Sequence, residues 1–317
     1  MDLQQRARTI IETNLALQPG ETLLVVTDDP TREVGELFYE AARAMDHRAL
    51  IMQMPEGSVA GEEPPAPVAA AMKAADVALC PTAKSITHTN ARIKAAAAGT
   101  RVVTMPGITM DMLRDGAACA DYDQVERRTR QLTERLTHAK HARIEKDGHV
   151  LELALTGRDG VASPGVYREP GASGNFPSGE AYIAPLEDGA NGTAVIDGSM
   201  VGIGTLTEPM TVTIENGRLT RIEGADAQGP YAERLGILFD QPENGTIAEL
   251  GIGTNEAAKL CGIILEDEKL YGTVHIAFGT NTSFGGITKA DCHLDGIILN
   301  PTLYLDDECI IRKGEFL

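Results

Sequence analysis

Five residues in the second half of the chain have types and spacings suited to metal chemistry: Glu180, Glu249, His275, His293 and Asp295. In DCHLDGIIL (291–299), His293 and Asp295 are two apart, so an extended chain points both to one face. In GTVHIAFG (272–279), period-2 alternation puts Val274, Ile276 and Phe278 on one face and Thr273, His275 and Ala277 on the other. Alone, a strand histidine is unremarkable, but beside a His-x-Asp strand it completes a compact set of three metal ligands. Glu249, in AELGIGTN (248–255), is an acid inside a short apolar run just before the glycines at 251 and 253. Burying such an acid is costly unless it pairs or binds a cation. Glu180 follows Pro177 and Gly179 in NFPSGEAYIAP (175–185), a turn that would fix the direction of its carboxylate. Glu187 and Asp188, just downstream, read as loop acids.

Five nitrogen and oxygen ligands exceed the needs of one tetrahedral site. They suit two divalent ions ~3.5–4 Å apart with a bridging carboxylate and a bridging water. With no thiolate in the set, zinc, cobalt, manganese or magnesium would serve. Such a centre activates water and polarises a carbonyl, which is chemistry for amide hydrolysis, and Glu180 or Glu249 could carry the proton to the leaving amine.

The elements that must position these residues fall into two textures. Over the first half, strand and helix signals alternate: an amphipathic stretch (4–17), TLLVVT (22–27), a helix (31–45), RALIMQM (48–54), an Ala-rich helix (67–75), DVALC (76–80), a helix around 88–98, RVVTM (101–105) and a long charged helix (121–142). Alternation of this kind predicts βαβ units and a doubly wound, mostly parallel sheet. After about 145 strand signals dominate: 149–157, 193–199, 211–224, 273–279 and 296–317, with Asn-Gly turns at 216–217 and 244–245 favouring hairpins and helices only at 229–240 and 254–265. The expected organisation is a Rossmann-like α/β domain over 1–145 and a β-rich α+β metal-binding domain over 146–317. The first half carries little chemistry of its own. The turn after its first strand is TDDPTRE, without a GxGxxG or a GxxxxGK[ST]. His88 reads as a capping or packing residue, and His138 and His141 suit the carboxyl end of the long helix.

Composition narrows the partners. Asp and Glu total 46 against 28 Lys and Arg, a net charge of −18, which opposes binding to nucleic acid or to an anionic membrane surface. Trp is absent and aromatics are 4%, which leaves little for base stacking. The amino-terminal residues lack the apolar core of a secretory signal, no apolar run approaches membrane-spanning length, and the five cysteines contain no CxxC pair. These features predict a cytoplasmic protein with reduced thiols.

The blocks NFPSGEAYIAP, ANG (190–192), AELGIGTN, EKLYGTVHIAFG (268–279) and HLDGII (293–298) resemble the thermophilic metalloaminopeptidases of the aminopeptidase T and aminopeptidase S type. NLALQPGETLLVV (14–26) and SITHTNAR (85–92) extend the resemblance into the first half. It implies a cytoplasmic metallo-exopeptidase and homodimer that removes amino-terminal residues from peptides, with Glu180, Glu249, His275, His293 and Asp295 binding two divalent ions. The peptidases carry a tyrosine shortly after the first histidine, where this chain has Thr282 within GTNTSFGG (279–286). The chain is also similar, more distantly, to the dihydroxypyridine ring-cleaving dioxygenases. That alternative implies one Fe(II) on the triad His275, His293 and Asp295. A third reading is a catalytically degenerate relative that only binds a ligand.

Overall fold

The computed structural model describes residues 1–224, 227, 229 and 231–317. Its contacts divide the chain into two compact units: Met1–Glu126 with Gly165–Ser178, and Arg127–Pro164 with Gly179–Leu317. The change of texture near 145 lies within a strand of the second unit.

The first unit is the α/β unit that its pattern predicts. Strands β1 (Thr22–Asp28), β2 (Arg48–Met54), β3 (Val77–Thr82), β4 (Arg101–Pro106) and β8 (Ser173–Asn175) form a parallel sheet in the order β2-β1-β3-β4-β8. β1, β3 and β4 are apolar and buried almost throughout, as strands covered on both faces must be. Leu24, Val26, Ala78, Cys80 and Val102 pack on one face against Val68 and Met72 of helix α3 (Ala66–Ala74) and Ala91 and Ala95 of α4 (Asn90–Ala97). The amphipathic stretch at the start is not one α-helix. α1 (Leu3–Thr9) passes into a π turn over Ile10–Asn14, where Leu15 N–H reaches back to the Ile10 carbonyl and the Asn14 side chain donates to Gly165 O. At the next junction Thr89, not His88, caps α4, its hydroxyl accepting from Arg92 N–H.

The second unit stacks two antiparallel sheets. One has the order β14-β13-β10-β6-β5-β18-β19-β20 and comprises β5 (His141–Lys146), β6 (His149–Ala154), β10 (Ala190–Ile196), β13 (Met210–Glu215), β14 (Arg218–Glu223), β18 (Thr302–Leu305), β19 (Glu308–Arg312) and β20 (Glu315–Phe316). The other has the order β12-β11-β17-β16-β15-β9-β7 and comprises β7 (Val161–Ser163), β9 (Glu180–Ile183), β11 (Ser199–Met200), β12 (Gly204–Thr205), β15 (Ile247–Gly253), β16 (Val274–Gly279) and β17 (His293–Ile298). Ile144, Leu151 and Leu153 from the first sheet share a core with Leu250, Ile252, Ile276, Phe278 and Ile298 from the second.

Some local expectations are revised. The charged helix, α6 (Tyr122–His138), ends at His138, and His141 instead opens β5. Asn216-Gly217 turns the β13–β14 hairpin, both residues at positive φ (49° and 75°), as a two-residue hairpin loop requires. Asn244-Gly245 makes no hairpin; it links the helix Ala232–Asp240 to β15 while Gly245 O accepts from Leu219 N–H. The helix expected over 254–265 shrinks to Ile264–Asp267. The N–H of Thr254 is taken by Gly179 O and that of Asn255 by Lys269 O, while the Asn255 side chain accepts from Ala257 and Ala258 N–H. These bonds hold the segment as a turn.

Candidate metal centre

The five predicted residues meet on the face of β9, β15, β16 and β17 opposite the shared core. Alternation puts Leu250 and Ile252 into that core and leaves Glu249, Gly251 and Gly253 on the other side of β15. Likewise Ile276 and Phe278 face the core while His275 and Ala277 face the site. Register does the rest: Ala277 pairs with both Glu249 and Asp295, Gly251 with His275, Gly279 with His293, and Gly253 with Glu180.

Between the functional side chains the strands carry only glycine or alanine, and the space is needed. A Cβ on Gly251 would lie 1.9 Å from His275 Nε2, so the imidazole rests directly on that glycine's backbone. Gly251 is absent from the positive-φ residues, so packing rather than dihedral freedom requires it.

Glu249 spans the centre. Its Oε1 is 3.3 Å from His275 Nε2 and its Oε2 is 3.4 Å from His293 Nε2. Asp295 Oδ1 lies 3.5 Å from His293 Nε2, and Glu180 Oε2 lies 3.5 Å from His275 Nε2. Two ligand groups result among the described residues: Glu249, His293 and Asp295, and Glu180, Glu268 and His275. The proposed triad thus draws His275 from one group and His293 with Asp295 from the other, with Glu249 joining them.

His293 Nδ1 donates to the Thr280 carbonyl at 2.8 Å, which turns Nε2 inward toward Glu249 and Asp295. The Phe284 ring meets His293 edge-on at 6.0 Å, and Tyr182 meets Phe284 edge-on at 5.3 Å. The short turn holding Phe284 is tied down by Glu187, which accepts from Asn281 Nδ2 and Ile287 N–H and pairs with Arg158. Glu187, read from sequence as a loop acid, is a structural anchor.

Glu268 and Lys269 are members that sequence reasoning passed over. Lys269 is fully buried, its ammonium donating to Glu180 Oε1 at 2.7 Å and to Glu268 Oε1. Their signal was an acid–base pair, EK, just ahead of the histidine strand; the contact to Glu180 spans 89 positions and has no local signature.

The electrostatics are those of a tightly coupled cluster. Burial pushes the Glu249 carboxyl up, but hydrogen bonds and charge from His275 and His293 prevail and hold it down at about 2. Burial pushes His275 down, yet Glu249, Glu180 and Asp295 lift it to about 9. His293 is raised well above its ordinary value: Asp295 and Glu249 outweigh its burial. Burial, reinforced by Glu180 and Asp295 and opposed by Lys269, raises Glu268 to about 8.

This donor set fits a divalent cation. Glu180 Oε2 and His275 Nδ1 are buried without a hydrogen-bond partner. Four carboxylates and two imidazoles converge with no thiolate among them. Buried carboxylates gathered this closely require positive charge.

The sequence profile of the NicX family, 2,5-dihydroxypyridine 5,6-dioxygenase, matches residues 7–317. The chain belongs to this family. A 2,5-dihydroxypyridine 5,6-dioxygenase of Pseudomonas putida KT2440 is 31% identical over 167 residues, which are 49% of this chain and 47% of that protein. The aligned stretch thus spans about half of the curated relative. The solved 2,5-dihydroxypyridine dioxygenase from Pseudomonas putida KT2440 has the same fold, with a TM-score of 0.82 over 99% of this chain and 96% of that one at 22% identity. AmpT of Thermus thermophilus shares the fold more loosely, at a TM-score of 0.73 over 99% and 98% of the two chains with 15% identity.

Membership in the NicX family overturns the aminopeptidase reading, and with it the assignment as a hydrolase and metallo-exopeptidase active in proteolysis. The motifs that suggested a peptidase belong to a fold common to both groups, and a shared fold does not fix the reaction. Among the described residues no helix is long and apolar enough to cross a membrane.

Proposed function

We propose that this chain is a ring-cleaving dioxygenase for a dihydroxylated pyridine, with Fe(II) held by His275, His293 and Asp295. The observation that carries this reading is the convergence of both histidine Nε2 atoms on the two oxygens of one carboxylate, Glu249, with Asp295 3.5 Å from His293. Two histidines and a carboxylate on one side of an ion leave other positions open for substrate and dioxygen. Fe(II) bound there supplies the one-electron chemistry that lets dioxygen react with a closed-shell ring.

The chain's own residues set the conditions. The Thr280 carbonyl fixes the tautomer and plane of His293. Glu249, whose two oxygens face the two histidine Nε2 atoms, lies beside the ion that the triad would hold and can accept a hydrogen bond that orients a substrate hydroxyl. Phe284 and Tyr182 provide an aromatic wall beside His293, the more exposed of the two histidines, against which a planar ring can lie.

Fe(II) loading under argon, followed by oxygen uptake with 2,5-dihydroxypyridine, tests the proposal. One dioxygen consumed per ring lost is expected. His293→Ala should remove both iron binding and uptake while its circular dichroism stays unchanged. Full ring cleavage by that variant, or no uptake with any dihydroxypyridine, would sink the assignment.

A further inference from the structure

The edges of the three sheets are not alike. Among the described residues, five of the six edge strands are blunted: β7, β8, β12 and β20 are only two or three residues long, and β14 (RLTRIE) carries three charges on six residues. Short or charged edges of this kind keep unpaired backbone groups from recruiting another strand. The sixth, β2, has neither protection. It runs for seven residues, RALIMQM, with no proline and a single charge, in a chain that holds 46 acids. Its backbone pairs with β1 in an unbroken register and with no other strand among the described residues. Leu50 is 57% exposed, and Ile51 and Met52 are half-buried. A long, flat, apolar edge left open in this way is a template for another strand.

The strand's own sequence specifies which strand. Laid antiparallel to a second copy of itself about a two-fold axis at Ile51, all seven residues pair: Ile51 faces Ile51, Leu50 faces Met52, Ala49 faces Gln53 and Arg48 faces Met54. No other register uses the whole strand, and in this one apolar side chains meet apolar side chains at the centre. Charge agrees as well. Even-numbered residues share a face, so the exposed Arg48 reaches diagonally toward Glu56 of the second copy, an exposed acid whose own-chain partner Lys84 stands at 3.7 Å. We propose that β2 is a self-association surface: two copies join edge to edge through antiparallel β2 strands, and their two five-stranded sheets become one sheet of ten strands. The surface lies wholly within the first unit and does not depend on the reaction assigned to the metal centre.

Sedimentation velocity on the full chain tests the surface. The wild type should contain an even number of chains. Leu50→Lys, which sets two ammonium groups diagonally across the axis, should contain half that number with unchanged circular dichroism. Arg48→Glu should raise the dissociation constant several-fold, and Arg48→Glu with Glu56→Arg should restore it. Disulfide linkage tests the register. In Ile51→Cys the two new thiols would face each other at a Cα separation of ~4.5–5.5 Å, within disulfide range. Mild oxidation should link that variant in pairs beyond the wild-type background, whereas Gln53→Cys, ~13 Å from its mate, should stay unlinked. A wild type of one chain or of an odd number, an assembly that survives Leu50→Lys intact, or absence of linkage in Ile51→Cys would overturn the proposal. An assembly that lengthens without limit as concentration rises would mean that β2 adds to a different edge, and would overturn it too.

Discussion

The imidazole of His275 lies on the backbone of Gly251, in the space that any side chain at 251 would fill: a Cβ there would come within 1.9 Å of Nε2. The two residues are register partners on β15 and β16, so neither can slide without shearing the sheet. Gly251→Ala should therefore displace the imidazole rather than the strand. Overpacking a rigid site typically costs ~1–3 kcal/mol. The expected result is a folded protein of lower melting temperature whose Mn(II) affinity falls at least tenfold. Unchanged affinity in Gly251→Ala would show that His275 does not ligate through Nε2.

The cluster predicts how stability depends on pH once metal is removed with chelator. Glu249 is held down at about 2 against an ordinary 4.5, so its contribution is complete above pH 4.5 and is lost as pH falls through 2. His275 is lifted to about 9 from 6.5, so its contribution is complete below pH 6.5 and is lost as pH rises through 9. Glu268, raised from 4.5 to about 8, adds to the alkaline loss, and His293 has the same sign. Melting temperature in chelator should thus be highest near pH 4.5, fall gently toward pH 6.5 as Glu268 loses its contribution, fall more steeply above pH 6.5 as His275 follows, and fall on the acid side as Glu249 protonates. With Mn(II) the ion replaces the proton on His275, so affinity should rise with pH and the alkaline decline should flatten. Equal melting temperatures in chelator at pH 6 and pH 9.5 would contradict the assigned interactions.

The centre was legible in the sequence wherever it depends on period and spacing. His293 and Asp295 two apart, and His275 opposite Ile276 and Phe278, already place three ligands on strand faces. Glu249 and Glu180 stood out as acids in apolar or turn settings. What the sequence concealed is long-range. Nothing near residue 180 announces a lysine at 269, and nothing in TNEAAKLCGI discloses that Thr254 and Asn255 give their N–H groups to distant carbonyls instead of to a helix. The reaction was concealed for a different reason: the ligand motifs are compatible with hydrolysis and with oxygen chemistry alike, and it is membership in the NicX family over residues 7–317 that weighs against hydrolysis.

Phe284 links His293 to Tyr182 through two edge-to-face contacts, at 6.0 and 5.3 Å. Such pairs are worth ~0.5–1.5 kcal/mol, a factor of about 2–10 in an equilibrium constant. Phe284→Ala should raise KM for an aromatic substrate by about that factor or more while the number of bound ions stays the same. Phe284→Leu, which restores bulk but no ring, should recover stability without recovering KM. Wild-type KM in both variants would exclude an aromatic wall at this position.

Glu187 ties the Phe284 turn to the body of its unit. One carboxylate oxygen accepts from Ile287 N–H at 2.8 Å and from the buried Asn281 at 3.2 Å, and the other faces Arg158. Leaving these donors unsatisfied costs ~1–3 kcal/mol. Arg158 also donates to Gly285 O, so the same cut frees both sides of the turn. Glu187→Ala should speed amide hydrogen exchange across 281–288, with β15 and β16 remaining protected, and should lower oxygen uptake by releasing Phe284 from His293. Metal binding should weaken only modestly, since no proposed ligand lies on the freed turn. Exchange rates over 281–288 matching the wild type would mean that the turn holds its shape without Glu187, and that the aromatic wall is positioned by its own packing.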